Sequence, residues 1–521
     1  MDKLKTLFSN KKFLIIIFLI LFSTLFNQYY GNKGVFPHDS FSHFETGYRI
    51  LLGEFPFKDY WVISGPFIDY SQGLFFLIFG VNWQSYVFHA SVVNCLVTVA
   101  TFTLLRNFNL NIFYSFLYSI FFSILAYPSS GTPFVDHHST FFSLLGTYSL
   151  ILAIKNDKKH YWIFFPVLFI FAFLSKQVPA AYIILFIFPL SIFYLIKKNK
   201  YNFIKTIFLS CTLLSLILIM IGYINGINLL SFIEQYIFYP PSIGESRIEN
   251  LRVSPSGFLN HFKFILIALT PLVYINIKRF FSHNDYSKDK DFYYFLIIFI
   301  FSVCLIFHQV LTRNQTFIFF LIPLITAFSH IYIGKIKNSF NYLIIIFCLF
   351  ATLKYHLRFN EGRKFHELAG ANFKLAVNAE KIDYKLKGLK WISPQYKNPK
   401  TEILLINQTK KILKNDERNI MVLSNYPFLS VILEKDYSST TRWHIFDGTD
   451  YPQIGNRYYS SYKNLFIKIL KEKKIKVIYL IAPIKESSIY DYISKDCFDE
   501  TKVNENVKSY ELKSCKDLNF S

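Results

Sequence analysis

The chain has 521 residues, of which 52% are hydrophobic, 20% aromatic and 17% charged. Its apolar runs repeatedly approach the roughly 20 residues needed to cross a hydrocarbon core, which excludes a soluble globular protein. The formal net charge of +22 would favour a nucleic-acid partner in a soluble protein. Here Lys and Arg gather in short loops, as in cytoplasmic loops of membrane proteins, so we expect the lipid bilayer and no nucleic acid as partner.

The apolar runs predict about eleven transmembrane helices. The first run follows the lysines of residues 1–12, and no small-residue cleavage site comes after it, so we expect an uncleaved span rather than a signal peptide. The expected spans are residues 13–29, 85–105, 110–127, 139–154, 161–175, 179–196, 204–225, 259–277, 292–309, 315–333 and 340–355.

The distribution of basic residues supports this order of spans. The loops that the order places in the cytoplasm contain 18 Lys and Arg, whereas the opposite loops contain 7 in a far longer total length. Cytoplasmic loops of membrane proteins carry such an excess of positive charge. We therefore expect a cytoplasmic N-terminus, with loop 29–84 and the C-terminal region on the other side of the membrane.

Beyond about residue 356 the composition becomes mixed and charged. Amphipathic helical patterns alternate with short apolar strands, which predicts a small α/β domain outside the cytoplasm. The predicted helices are residues 400–414 and 461–473, and the predicted strands are residues 419–424 and 475–482.

The change in composition predicts two domains. Residues 1–355 form a transmembrane domain that contains the first outer loop, 29–84, and residues 356–521 form the α/β domain. Cys497 and Cys515 lie together in the second domain. They suit a disulfide if that domain faces an oxidising compartment.

The first outer loop contains three aspartates, Asp39, Asp59 and Asp69, in a stretch too polar to span a bilayer and too apolar for an ordinary solvated loop. Asp39 precedes a predicted amphipathic helix that ends at Gly53. A carboxylate in this place is typical of a helix N-cap as well as of a binding or catalytic site. If the loop holds a site, Asp39 is the first candidate and Asp59 the second, whereas Asp69 is interpreted as structural.

The structural alternative for Asp39 is specific. Asp39 or Ser40 would cap the helix, and Ser42 with Glu45 has the spacing of a capping box. The functional interpretation needs a second acidic residue on the same side of the membrane.

The second outer loop supplies that residue. Asp136, His137 and His138 stand immediately before the fourth predicted span. A carboxylate and two imidazoles at the mouth of a helix bundle can bind a metal, an ammonium group or a sugar hydroxyl. The alternative is a capping aspartate beside interfacial histidines, and three titratable groups in an otherwise uncharged loop favour a site.

Two cations lie near the membrane on the same side. Lys176 stands between two spans with almost no loop around it, and Arg313 follows Gln309 in a similarly short turn. Basic side chains at this depth are costly unless they snorkel or meet an anion. A lipid-linked phosphate is the anion expected at this level.

These features together resemble the C-type superfamily of membrane glycosyltransferases. The resemblance is carried by Asp39, by the sequences GEFPFKDYW and SGPF that follow it, and by the Asp136-His137-His138 motif. The layout of approximately residues 10–355 is most similar to the bacterial protein-mannosyltransferase and aminoarabinose-transferase branch.

The resemblance implies a polyprenyl-phosphate-linked sugar donor and a glycan, lipid or protein acceptor, at the periplasmic face of a bacterial inner membrane. Asp39 would act as general base or orient the acceptor, and Asp136 matches the second acidic position. His137 or His138 would position the acceptor or a metal, and Lys176 and Arg313 would hold the departing phosphate. No cofactor is certain, because some relatives need a divalent metal and others do not; the ligands would then be Asp39, Asp136 and His138.

Two functions are alternatives to a glycosyltransferase of this kind. An O-antigen polymerase or ligase would rely on arginine-rich outer loops, and only Arg247 and Arg252 fit that pattern. A flippase or transporter predicts ionisable residues in mid-span and repeated or broken helices, whereas the polar groups here gather at one face.

Overall fold

The computed structural model describes residues 11–127, 131–243, 253–282, 289–312, 318–333, 339–361, 368, 371–444, 448–482, 484, 487–516 and 518. Its helices are α1 (Lys11–Gly31), α2 (Pro37–Leu51), α3 (Pro66–Phe79), α4 (Trp83–Asn107), α5 (Ile112–Ala126), α6 (Val135–Asn156), α7 (Lys159–Ser175), α8 (Gln177–Lys197), α9 (Tyr201–Ile224), α10 (Leu229–Phe232), α11 (Pro255–Ser282), α12 (Lys290–Thr312), α13 (Leu321–Ile333), α14 (Ser339–Tyr355), α15 (Pro399–Asn415), α16 (Leu429–Leu433), α17 (Tyr459–Glu472) and α18 (Ser487–Tyr490). Its strands are β1 (Val377–Asn378), β2 (Lys390–Trp391), β3 (Ile420–Leu423), β4 (Val477–Ile481), β5 (Phe498–Lys502) and β6 (Val507–Leu512).

Each apolar run predicted to span the membrane coincides with a helix, namely α1, α4 to α9 and α11 to α14. Within the described residues, seven helices are long and apolar enough to cross a membrane, and α5, α7 and α13 are shorter apolar helices. The other helix of this set, α6, carries Asp136 in its first turn. The prediction of a multi-pass α-helical membrane protein is confirmed.

Contacts divide the chain into two compact units. Unit 1 consists of Met1–Gly31, Val87–Ile217 and Asn250–Phe365. Unit 2 consists of Asn32–Tyr86, Leu218–Glu249 and His366–Ser521. The sequence pattern groups the first outer loop with the spans, whereas in the structure residues 32–86 share a unit with the C-terminal region.

In unit 1, α6 packs against α7 and is buried along most of its length. A Cβ atom at Gly146 of α6 would lie 2.8 Å from Phe169 Cδ2 of α7, so the two helices approach closely because this position has no side chain. The buried rings of Phe122, Phe141 and Phe320 pack together with centroids 5.2 to 6.3 Å apart. This core holds α6, the helix whose first turn carries Asp136.

Unit 2 contains a four-stranded sheet with the order β3-β4-β6-β5. The parallel pair β3 and β4 is connected through α17, because parallel neighbours need a crossover, and β6 is antiparallel to both β4 and β5. The apolar face of α17 buries Phe466 and Leu470 in one core with Met421 and Ile478 of the sheet. The predicted small C-terminal α/β region is therefore present.

Sequence patterns located the elements of this region closely. The two predicted helices correspond to α15 and α17, and the two predicted strands correspond to β3 and β4. Cys497, which immediately precedes β5, forms a disulfide with Cys515, which follows β6.

Candidate active site

Asp136 in unit 1 is the centre of a buried ionic cluster. Lys176 Nζ donates to both carboxylate oxygens of Asp136, at 2.9 and 2.8 Å. His308 Nε2 lies 2.9 Å from Asp136 Oδ1 and donates to it, since a carboxylate can only accept. Asp136 and His308 are almost fully buried, whereas the Lys176 side chain is 23% exposed. We name these three residues the Asp136 cluster.

Each member of the Asp136 cluster comes from the end of a helix. Asp136 lies in the first turn of α6, and His308 lies in the last turns of α12. Lys176 occupies the break between α7 and α8 in an extended conformation, φ −162° and ψ 140°. Its carbonyl oxygen accepts a hydrogen bond of 3.0 Å from Ser139 Oγ, which ties this break to α6.

Gln309, the neighbour of His308, is also buried. Within the described residues, Gln309 Oε1 and His308 Nδ1 have no hydrogen-bond partner. Buried polar atoms of this kind normally have a partner, so they are candidate contacts for a polar ligand. Arg313, predicted to act beside Gln309, lies outside the described residues, as do Arg247 and Arg252.

His137 and His138 have surroundings of their own. His137 stacks on Tyr127 with ring centroids 4.5 Å apart and nearly parallel planes. His138 Nε2 lies 3.2 Å from His89 Nε2, so one ring donates and the other accepts. Tyr127 OH lies 3.3 Å from His138 Nδ1. His137 and His138 therefore belong to a group of packed rings at the start of α6. The imidazole that bonds to Asp136 is that of His308.

The metal ligands predicted from the sequence are Asp39, Asp136 and His138. In the part of the chain that the structure describes, no group of three or more His, Cys, Asp or Glu side chains is arranged to hold a metal ion. Both oxygens of Asp136 instead accept hydrogen bonds from Lys176. Asp39 lies in unit 2, whereas Asp136 and His138 lie in unit 1, and no step of the reaction is assigned to a metal.

Asp39 lies in unit 2, in the first turn of α2 rather than at its cap. The helix begins at Pro37 with Phe36 as N-cap residue, as expected for a proline in the first turn. The interpretation of Asp39 or Ser40 as the N-cap is therefore wrong. A carboxylate in the first turn is favoured by the helix dipole, and the Asp39 side chain is 27% exposed with His38 Nε2 3.8 Å away.

The proposed capping box is also absent. Ser42 is inside α2, where its hydroxyl donates to the carbonyl oxygen of Asp39 at 3.3 Å. Glu45 lies 3.7 Å from Arg49, one helical turn further on, rather than at the helix start.

Asp59 and Asp69 have different surroundings in unit 2. Asp59 Oδ2 accepts the backbone N–H of Phe55 at 2.8 Å and so closes a turn. Asp69 is fully buried and bonded to His43 and Arg442, both at 2.7 Å. Burial by itself raises the pKa of Asp69, but the Arg442 charge and the bond to His43 outweigh it and hold this pKa below its usual range.

Three contacts of these clusters were missed by sequence reasoning. His308 directly precedes Gln309 at the end of an apolar span, His89 stands inside an apolar span, and Arg442 lies in a segment without periodicity. That polar pair was a usable signal for His308. Nothing local marks His89 or Arg442, because their partners are distant in the sequence.

Comparisons with known proteins support the resemblance seen in the sequence. Residues 64–223 match the family described as dolichyl-phosphate-mannose-protein mannosyltransferase. This range includes Asp136 and Lys176, and it excludes Asp39 and His308. The match confirms the predicted resemblance to C-type membrane glycosyltransferases.

The solved structures that are similar to the chain include one of a membrane transferase. It is the crystal structure of ArnT from Cupriavidus metallidurans bound to undecaprenyl phosphate, with a TM-score of 0.49, 9% sequence identity, and coverage of 95% of this chain and 97% of that chain. No curated protein sequence matches the chain.

Proposed function

We propose that this membrane protein transfers a sugar from a polyprenyl-phosphate-linked donor to a cell-envelope glycan, lipid or protein. The observation that carries the proposal is the Asp136 cluster, whose Asp136 and Lys176 lie in the range matched by the mannosyltransferase family. By its description, that family acts with a sugar carried on a polyprenyl phosphate.

The Asp136 cluster suits the recognition of a phosphate at the membrane surface. A buried charge is retained when it is paired, and Asp136 pairs with Lys176, which is partly exposed. An ammonium group has three N–H donors, so Lys176 can contact a phosphate while it remains bonded to Asp136. Asp136 and His308 thereby hold the cation in one position, and Lys176 stabilises the negative charge that develops on the departing phosphate.

Asp39 is assigned the role of general base. Its carboxylate is partly exposed and lies at the start of a helix. In the transfer, an acceptor hydroxyl gives its proton to Asp39, and its oxygen forms a bond to the anomeric carbon of the sugar. The bond from that carbon to the phosphate oxygen breaks, and the phosphate leaves with the electron pair.

We place the reaction on the periplasmic face of a bacterial inner membrane. The excess of basic residues in the short loops supports a cytoplasmic N-terminus and an external position of loop 29–84 and the C-terminal region. His137, His138, Asp59 and Gln309 remain proposed substrate contacts.

The proposal is tested by transfer from purified undecaprenyl-phosphate-linked hexoses and pentoses to acceptors in an envelope extract, with the protein in liposomes. Asp39→Asn should lower the turnover about 10²- to 10⁴-fold, the usual contribution of a general base. Asp136→Asn should also lower it, because Lys176 loses its anionic partner.

Asp157→Asn is the matched control, since Asp157 ends α6 and pairs with Lys200. It should transfer at the wild-type rate. Full turnover of a folded Asp39→Asn variant would contradict the assignment of the base. Absence of transfer by the wild type with every donor would contradict the proposed function itself.

A further inference from the structure

A second buried ionic cluster lies in unit 2 and has no role in the reaction above. Asp69 Oδ1 accepts from His43 Nδ1 at 2.7 Å and from Thr46 Oγ1 at 2.5 Å. Asp69 Oδ2 accepts from Arg442 Nη2 at 2.7 Å and from Tyr60 OH at 3.3 Å. All five residues are buried, and we name them the anchor cluster.

The anchor cluster holds the helix face that begins with Asp39. His43 and Thr46 follow Asp39 by four and seven residues in α2, and residues at this spacing lie along one side of a helix. Asp69, from α3, bonds to both of them. The position of Asp69 therefore determines the position and the rotation of the helix that carries Asp39.

Arg442 supplies the positive charge of the anchor cluster. Burial, and next the nearby Arg442, lower the pKa of His43, so this imidazole does not balance the carboxylate at neutral pH. An isolated buried carboxylate is strongly disfavoured. Without Arg442, Asp69 would take up a proton or leave its place, and its bonds to α2 would change in either case.

The segment around Arg442 contacts the first outer loop at further points. Arg49 Nη1, from the last turn of α2, donates to the carbonyl oxygen of Ser439 at 2.7 Å. The backbone N–H of Trp61 donates to the carbonyl oxygen of Thr440 at 2.8 Å. Three contacts, made by Ser439, Thr440 and Arg442, thus bind the C-terminal region to this loop within unit 2.

We propose that Arg442 is a positioning residue for the transfer reaction. It neutralises and fixes Asp69, which in turn holds α2 so that Asp39 keeps the place needed for proton abstraction. The C-terminal region would then serve the reaction by holding the outer-loop helix. The catalytic part of this inference rests on the proposed function of Asp39.

The test compares Arg442→Ala, Arg442→Lys and the control Arg418→Ala in the full-length protein. Arg418 is also ion-paired in the C-terminal region, but it bonds to Asp416 and Glu511 and its side chain is 44% exposed. Amide hydrogen exchange of residues 37–51 is measured beside kcat and KM for the lipid-linked donor. Folding is checked by gel filtration.

In the Arg442→Ala variant, we expect the amide hydrogens of residues 37–51 to exchange roughly tenfold faster, because local opening becomes easier. Its kcat should fall about 10- to 100-fold through misplacement of Asp39, with KM for the donor nearly unchanged. Arg442→Lys should restore part of kcat, and Arg418→Ala should match the wild type in every measurement. If Arg442→Ala does not fold, a double variant Asp69→Asn with Arg442→Gln removes both charges and should fold with the same fast exchange and low kcat.

Unchanged exchange of residues 37–51 in a folded Arg442→Ala or double variant would overturn the inference, whatever the activity. A normal kcat in that variant would also overturn it, and the proposed function would stand if Asp39→Asn remained inactive. If the wild type transfers no sugar, the proposed function fails, and the exchange measurement still decides whether Arg442 holds α2.

Discussion

Glu45 is a buried carboxyl group on α2 with a long contact to its cationic partner, Arg49. Its Oε1 lies 3.7 Å from Arg49 Nη1, and its Oε2 has no hydrogen-bond partner among the described residues. Arg49 bonds more closely to Glu54, at 2.7 Å. Burial raises the pKa of Glu45 from 4.5 to about 8 although Arg49 opposes the shift, so this carboxyl is protonated at neutral pH in the folded protein.

Glu45 should therefore make the stability of unit 2 depend on pH. In the unfolded chain this carboxyl loses its proton near pH 4.5, whereas in the folded chain it keeps the proton up to about pH 8. Between these values the unfolded state binds fewer protons, so the free energy of unfolding decreases as pH rises, by at most about 1.4 kcal/mol per pH unit. Glu45→Gln should remove this decrease and raise the thermal unfolding midpoint at pH 8.

The measurement is the unfolding midpoint in detergent from pH 5 to 9. Glu472→Gln is the control, because Glu472 is 63% exposed beside Lys468 and should leave the pH profile unchanged. Equal pH profiles for the wild type and Glu45→Gln would show that Glu45 is not the group responsible.

At the scale of elements, α2 and α3 meet through small residues. A Cβ atom at Gly47 would lie 2.5 Å from Gln72 Cγ and 2.9 Å from Gln72 Cβ. A Cβ atom at Gly73 would lie 2.9 Å from Ile50 Cγ2. The two helices approach closely because both positions lack a side chain, and this approach brings Asp69 of α3 within bonding distance of α2.

Gly47→Ala should separate α2 from α3. The added methyl group meets Gln72 near its backbone, so the helices must shift, and such overpacking typically costs about 1 to 3 kcal/mol. The expected result is a lower thermal unfolding midpoint. Gly222→Ala is the matched control, because a Cβ atom there meets nothing closer than 3.9 Å. Equal midpoints for the two variants would contradict the close approach inferred at Gly47.

The close approach of α2 and α3 also explains why α2 differs from a simple amphipathic helix. Its apolar residues Phe41 and Phe44 are buried as expected. Its polar residues His43, Glu45 and Arg49 are buried too, whereas the pattern places them in solvent. The polar face is covered because Asp69 of α3 bonds to His43 and the carbonyl oxygen of Ser439 in the C-terminal region accepts from Arg49.

At the scale of the whole molecule, the distribution of charge predicts the orientation in the membrane. A periplasm-dependent reporter fused after residue 360 should be active, and the same reporter fused after residue 200 should be inactive. The reason is that residues 197–205 belong to the basic loops expected in the cytoplasm, whereas residue 360 follows the last span. Activity of both fusions, or of the second alone, would overturn the predicted order of spans.

Local patterns in the sequence were enough to predict the class of fold and most of its elements. Membrane spans are specified by local hydropathy over about 20 residues, so every predicted span coincides with a helix. The alternating patterns near the C-terminus specified α15, α17, β3 and β4 for the same reason. Asp136 was also recognisable, because a titratable residue at the mouth of an apolar helix stands out locally.

Which charged side chains pair with one another depends on the packing of the folded chain. His308 reaches Asp136 across 172 residues, and Arg442 reaches Asp69 across 373. Such pairs depend on how helices and loops pack, and no periodic pattern in the sequence encodes a partner at that distance. The structure likewise showed that Asp39 lies inside the first turn of α2, because Pro37 starts this helix earlier than the capping pattern suggested.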